Sequence, residues 1–281
     1  VHIDLHVHSN ASDGTDSPAE LIRLAAANGL DVIALTDHDT VAGHAEAIAA
    51  LPGTDVTLVP GAELSCAVDG ISLHLLAYLF DPSYPPLASE LELLRSDRTR
   101  RAEAMVDRLV DLGVDISWAQ VARIAGDAAV GRPHIALALI EAGVVPDVPG
   151  AFTPEWIGTG GRAYVEKYSL EPLRAIRLVR EAGGVTVFAH PAAASRGPIV
   201  GTDVIAAMAD SGLHGLEVDH PDHDGPTREH LRGLAADLGL LVTGSSDYHG
   251  RVKETPLGAE TTDPAAYEAL VAQAARVPVR G

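Results

Sequence analysis

A chain of 281 residues with 47% apolar content can bury a large α/β core, which excludes a disordered polypeptide. Its formal charge of −19 repels polyanions and so excludes nonspecific duplex nucleic-acid binding through a broad basic face; a phosphate-bearing substrate must be drawn by local cations. The single cysteine, Cys66, excludes an intrachain disulfide, and with no signal-peptide pattern and no apolar run long enough to span a bilayer, the expected place is the cytoplasm, away from membranes.

The chain opens on VHIDLHVH, where alternation puts Val1, Ile3, Leu5 and Val7 on one face of a strand and His2, Asp4, His6 and His8 on the other. If both faces are covered, those four polar groups need partners, because an unpaired buried polar group costs roughly 2 kcal/mol or more. SPAELIRLAAANGL at 17 to 30 predicts a helix with Ser17 as cap, Pro18 at the first position, Glu20 closing a capping box and Gly29 near the end. Further β-rich runs at 31 to 36, 56 to 64, 72 to 78, 184 to 190, 213 to 220 and 238 to 247 bring the expected total to about seven strands. Strand–helix alternation favours parallel pairing in a barrel or a doubly wound sheet. The stretch from 82 to 159 lacks strand signals and carries amphipathic helices such as LASELELLRSDRTRRAEAMVDRLVDLG. It reads as a helical insertion domain, with 1–81 and 160–281 forming the α/β barrel.

Ligand-type side chains recur at the expected strand ends: His6 and His8, Asp13 in the loop after them, His38, Glu63, His74, His190, and Asp247 with His249. In an α/β barrel these positions converge on one mouth, where active sites sit. So many imidazoles and carboxylates in one pocket are electrostatically tolerable only around bound cations. The polar face of the first strand therefore reads as looking into a metal site, with His2 and Asp4, deeper toward the barrel floor, as supporting or core partners.

In motif and order, HIDLHVHSNASDG, IALTDHDTVAG, PGAELS, HLLAY, AHP and SSDYHG resemble the PHP (polymerase and histidinol phosphatase) family of metal-dependent phosphoesterases. The resemblance implies a distorted (β/α)7 TIM-like barrel holding two or three divalent ions, manganese first, with iron, zinc or magnesium as alternatives. It groups His6, His8, Glu63 and Asp247 at one metal, lets Glu63 bridge to a second held by His74 and His190, and assigns Asp13, His38 and His249 to a third. Asp13 stands where some members have His.

Such a centre suits phosphate ester hydrolysis, with Asp13, Glu63 and Asp247 as the catalytic carboxylates. The leaving alkoxide needs a proton, for which His220 in VDHPDHD is the candidate, as an acid or a substrate contact, and His223 the runner-up. GRPHIALALI at 131 to 140 places Arg132, Pro133 and His134 at a helix start, where a guanidinium and free N–H groups can face an anion. Segments like it are similar to those of the PHP subgroup that hydrolyses 3′,5′-nucleoside bisphosphates and trims short 5′-phosphorylated RNA, which implies Arg132, His134 and Lys167 as phosphate contacts. Arg196 in HPAAASRGP is a further substrate contact, although AAAS departs from the subgroup's pattern after the HP pair. The expected partner is thus a small phosphorylated nucleotide or short RNA. Alternatives are a histidinol-phosphate-type phosphatase, a noncatalytic metal-stabilised PHP module, and an amide- or deaminase-type hydrolase. Arg95, Arg98 and Arg101 share one helix face and read as solvated and salt-bridged, since acids are interspersed; Cys66 reads as packing.

Overall fold

The computed structural model describes residues 1–126 and 130–281. The chain divides into two compact units, Val1–Leu91 with Ser169–Gly281, and Glu92–Tyr168.

The larger unit is built on one sheet of seven strands, paired in sequence order: β1 (Ile3–Val7), β2 (Val32–Leu35), β3 (Thr57–Val68), β4 (Ile71–Tyr78), β5 (Val185–Phe188), β6 (Gly215–Asp219) and β7 (Leu241–Gly244). The edges nearly meet: Val7 bridges Tyr248, and the His8 amide donates to the Tyr248 carbonyl at 2.9 Å. This is the expected distorted (β/α)7 TIM-like barrel. Helices α1 (Pro18–Ala27), α2 (His44–Ala50), α3 (Pro85–Asp111), α4 (Trp118–Ala125), α5 (Arg132–Glu141), α6 (Val148–Ala151), α7 (Pro172–Glu181), α8 (Thr202–Asp210), α9 (Gly225–Leu238) and α10 (Pro264–Val271) follow in chain order. The start of α1 follows its sequence signal: Ser17 Oγ accepts the Glu20 amide at 3.2 Å, and Glu20 returns a carboxylate to the Ser17 amide at 2.8 Å.

One expectation needs correction. Strand–helix alternation favours parallel pairing, yet β4 runs antiparallel to both β3 and β5. The cause is the turn Asp69–Gly70, with φ of 49° and 79°, the all-positive geometry of a tight two-residue hairpin. With no helix to carry the chain back, β4 can only return antiparallel. β3 accordingly runs on to Val68, past its expected end at 64.

Strands β1, β2 and β5 are buried along their whole length, as expected where helices cover the outer face. Ile3, Leu5, Val59, Leu76, Tyr78 and Val187 form one core cluster, and Leu21, Ile22, Ile33, Leu35 and Leu58 another. The helical unit has its own core, including Met105, Leu109, Val121, Ile135 and Leu139, and none of its described residues forms a strand.

Candidate metal centre

Side chains from six segments meet at one end of the barrel. His6 lies in β1 and His8 one residue beyond it, Asp13 in the following loop, His38 after β2, Glu63 in β3, His74 in β4, His190 after β5, and Asp247 with His249 after β7. Main-chain bonds set Glu63, whose carbonyl accepts the Asp39 amide at 3.0 Å and whose amide donates to the Thr36 carbonyl at 3.1 Å. His190 and Asp247 have φ of 32° and 52°, a left-handed strain that non-glycine residues keep only where their surroundings hold it. His74 reaches the cluster from mid-strand, paired with Ser65, because β4 runs the other way.

Glu63 is the centre of the group. Its Oε2 lies 3.2 Å from His6 Nε2, 3.1 Å from His8 Nε2 and 3.1 Å from His38 Nδ1, while Oε1 lies 2.8 Å from His74 Nδ1 and 3.1 Å from His190 Nε2. Asp247 Oδ1 lies 3.4 Å from His6, His8 and His249 ring nitrogens. Asp13 approaches His249 Nε2 at 3.4 Å, His38 Nε2 at 3.6 Å and His8 Nδ1 at 3.7 Å. Potential ligand atoms fall into three tight groups: His8, Asp13, His38 and His249; His6, His8 and Asp247; and His38, Glu63 and His74, each spanning no more than 4.8 Å.

Protons alone do not satisfy this arrangement. His6 Nδ1 lies 2.9 Å from Glu217 and His249 Nδ1 2.8 Å from the Asp247 carbonyl, so in the neutral rings each proton is held there and each Nε2 turns a lone pair inward. His6 Nε2 and His8 Nε2 stand only 3.0 Å apart, and one proton at most can lie between them. His8, His38 and His74 each bury an Nδ1 that has no hydrogen-bond partner among the described residues; those of His38 and His74 are close to Glu63 but misdirected. Inward lone pairs, carboxylates and orphaned imidazole nitrogens are the donor set of an imidazole-rich divalent-cation site, and the residues present fit such ions.

The charges agree. Burial raises the Glu63 carboxyl, but His38, His74, His6 and the contact with His190 more than offset it, leaving Glu63 well below the usual range. Asp13 and Asp247 are likewise held low against burial by their histidines, His38 foremost at Asp13 and His6 at Asp247. Burial opposes the charge on His6 and His8, yet Glu217, Glu63 and Asp247 raise His6 well above its ordinary value, and Asp247 and Glu63 raise His8 to about 9. Burial pushes His38 down and His190 down to about 4.

Beneath the cluster lie carboxylates that alternation alone leaves unassigned. Glu217 is fully buried, accepts the His190 amide at 2.7 Å and the Ser245 hydroxyl, and is held near 2 against burial chiefly by His6. Asp4 is a buried partner, as expected: it accepts the Ser246 hydroxyl at 2.6 Å and the Gly258 amide at 2.9 Å, and burial still raises it to about 6. Asp37 accepts the Ser9 and Ser12 hydroxyls at 2.6 Å, which ties down the loop bearing Asp13. His2 is a correction: it is exposed, at the opposite rim of the strand, with Nδ1 3.2 Å from the Gly29 carbonyl.

Of the two acid candidates, His220 lies at the cluster. Its Nδ1 accepts the Asp222 amide at 3.0 Å, so the neutral ring carries its proton on Nε2, which is 3.4 Å from Asp247 Oδ2. His223 is a second correction, since it places Nδ1 2.9 Å from the Val218 carbonyl and accepts the Ala192 amide on Nε2 at 3.3 Å. No ring nitrogen is left for a substrate. Arg196 also reaches the cluster, with Nη2 2.7 Å from Asp247 Oδ2.

Arg132, His134 and Lys167 belong to the helical unit. There Arg132 stacks its guanidinium 5.1 Å from the Phe152 ring centre and pairs with no carboxylate among the described residues. His134 turns Nδ1 to accept the Gly131 amide at 3.0 Å, and Lys167 is half-buried. On α3, Arg95 is exposed and pairs with Glu92, as expected, but Arg101 departs from the solvated reading: it is 8% exposed, lies 5.3 Å from the Tyr164 ring centre, and buries an Nη2 with no partner among the described residues. Burial and the nearby Arg132 and Arg98 charges push it down to about 10. The face was misread because an arginine can bury its stem along apolar surface, which charge patterning does not register.

The family model of the PHP domain matches residues 4–114. A 5′-3′ exoribonuclease of Haemophilus influenzae is 32% identical over 88% of this chain and 89% of its own. A 3′,5′-nucleoside bisphosphate phosphatase of Chromobacterium violaceum is 32% identical over 88% and 87%, and a phosphoribosyl 1,2-cyclic phosphate 1,2-diphosphodiesterase of Eggerthella lenta 30% over 90% and 96%. A crystal structure from Bifidobacterium adolescentis, assigned as a metal-dependent phosphoesterase, superposes with a TM-score of 0.88 at 34% identity over 97% and 96% of the two chains. Likeness of that extent, joined to a barrel whose mouth gathers inward-facing imidazoles around Glu63, places this chain in the PHP domain family of metal-dependent phosphoesterases.

Proposed function

We propose that the chain hydrolyses a small phosphorylated nucleotide, removing the 3′-phosphate of a nucleoside 3′,5′-bisphosphate and trimming short 5′-phosphorylated RNA. The observation that carries the substrate class is the guanidinium cluster of the helical unit. In a chain of net charge −19, Arg101 buries a donor nitrogen without a partner among the described residues, and Arg132 and Arg98 lie close enough to depress it. A desolvated arginine with a spare donor is suited to a phosphate that does not react. His134 and Lys167 belong to the same contact set. The names of the two relatives that act on a bisphosphate and on RNA support the reading.

At the barrel mouth, Glu63 would serve two or three divalent ions, manganese being the best match to so many imidazoles. His6, His8 and Asp247 would hold one ion, His74 and His190 a second, and Asp13, His38 and His249 a third. When bound, the ions supply an activated water and neutralise phosphate oxygens. His220 holds a proton on Nε2 at the Asp247 side of the cluster and delivers it to the departing oxygen.

The test is phosphate release from a panel of esters at saturating manganese. A nucleoside 3′,5′-bisphosphate should be turned over with the highest kcat/KM, and Arg132→Ala should raise its KM at least tenfold with little change in kcat. Preference for histidinol phosphate or a cyclic phosphate, or an unaltered KM, would sink the assignment.

A further inference from the structure

A cavity of about 310 Å³ opens beside Asp247, lined in part by Arg196, His220, Asp222, Ser246 and Lys253. Asp247 divides its oxygens between two environments. Oδ1 faces the histidines of the metal centre, while Oδ2 lies 2.6 Å from Lys253 Nζ and 2.7 Å from Arg196 Nη2, with His220 Nε2 at 3.4 Å. One carboxylate oxygen thus meets two full cations. Arg196 is anchored a second time, its Nε donating to Asp222 Oδ2 at 2.6 Å, which also spends the Asp222 charge. Lys253 makes no second ion pair among the described residues, and its side chain is 31% exposed.

This balance changes once Oδ1 helps to hold a divalent ion. The Asp247 charge, with Glu63 as the only other carboxylate proposed for that ion, then faces a dication, a guanidinium and an ammonium, and the ammonium is the member least held, on a flexible four-carbon stem. The remaining acid on the cavity wall, Glu254, is exposed and contributes little against that excess. The cavity then carries surplus positive charge next to the reacting centre, which suits an incoming dianion.

We propose that Lys253 is a substrate-binding residue: its ammonium leaves Asp247 for a nonbridging oxygen of the substrate phosphoryl group in this cavity, while Arg196 stays as the fixed partner of Asp247. The inference rests on the metal-ligand reading of Asp247 but not on which nucleotide is cleaved. Lysine is scarce in this chain, Lys167 and Lys253 being the two present, and one of them stands at this wall.

The experiment titrates inorganic phosphate into manganese-loaded protein by calorimetry, with Arg132→Ala and Arg101→Met as background so that the helical-unit arginines contribute little. Lys253→Met is compared with its parent, and manganese affinity is measured in parallel. Phosphate Kd should rise about tenfold, the value of one hydrogen bond to a charged group, with manganese affinity unchanged and Lys253→Arg restoring most of the loss. Unchanged phosphate affinity would overturn the proposal. So would a drop in manganese affinity, which would mark Lys253 as a mere support for Asp247. Inorganic phosphate carries no nucleoside, so a wrong choice of nucleotide substrate leaves this result standing.

Discussion

Glu217 illustrates what a single residue can and cannot show in sequence. In GLEVD, alternation separates Leu216 and Val218 from Glu217 and Asp219, the pattern of an ordinary half-solvated strand. Only the covered barrel makes Glu217 a buried carboxylate 2.9 Å from His6 Nδ1, where it fixes which ring nitrogen faces the metal centre. Glu217→Gln keeps the shape and loses the charge, so manganese affinity should fall about 10- to 100-fold. Metal competition titration checks this, and an unchanged affinity would remove Glu217 from the support of the site. By contrast, the nine proposed ligands were legible as ligand-type residues in or just after recognisable β runs, His74 lying within its run rather than at its end. A second prediction concerns His214, the residue before β6. Burial, then Arg180, lowers it to about 4, and its Nδ1 accepts the Thr186 amide at 3.1 Å. A folded pKa below the unfolded value of 6.5 favours the neutral ring, so this stability is complete above pH 6.5 and is lost as pH falls toward 4. Relative to His214→Gln, the wild type should lose more Tm between pH 7 and pH 4.5; parallel melting curves would contradict it.

Among elements, the β3–β4 hairpin departs most from the expected order and has the plainest cause. The dipeptide Asp69–Gly70 is a strong local hairpin signal, which the strand–helix alternation that favours parallel pairing does not take into account. The consequence reaches the site, since the reversed β4 delivers His74 from mid-strand opposite Ser65. Gly70 has φ of 79° with open space around a would-be Cβ, so Gly70→Ala pays only the left-handed penalty of about 1 kcal/mol. A urea midpoint lowered by that energy divided by an unchanged m-value, with manganese stoichiometry retained, is the expected outcome. Gly14 is a different case, since a Cβ there would lie 2.4 Å from the His8 carbonyl oxygen, which is backbone and cannot turn aside. Gly14→Ala must therefore displace the loop carrying Asp13 and weaken manganese binding as well as stability. Stability loss without any change in manganese affinity would show the loop to be irrelevant to the site.

For the whole molecule, the net charge of −19 and the crowded barrel mouth belong to one electrostatic problem. Glu63, Asp13, Asp247 and Glu217 are all held ionised while buried, and without cations the charge of His6 and His8, joined at Asp247 by Lys253 and Arg196, works against theirs. The sequence made the need for cations legible through residue types and strand ends; it could not show which histidines would be protonated without them, because that depends on distances of 2.9–3.4 Å between residues remote in the chain, such as His6 with Glu217 and Asp247. A divalent ion must displace those protons, so binding and pH are linked. His8 has a folded pKa of about 9 in the ion-free protein against an unfolded 6.5. The stability its charge supplies is therefore full below pH 6.5 and disappears as pH rises through 9. Manganese binding runs in the opposite sense, strengthening over the same window as the competing protons leave. A chelator should abolish activity and manganese should restore it. A rise in Tm equivalent to about 2.7 kcal/mol, the value for one site at a hundredfold excess of ligand over Kd, should be reached at lower manganese concentration at pH 8.5 than at pH 6.5. Scanning calorimetry over a manganese series at the two pH values decides it: the same concentration giving that rise at both would show that His6 and His8 carry no protons for the metal to displace.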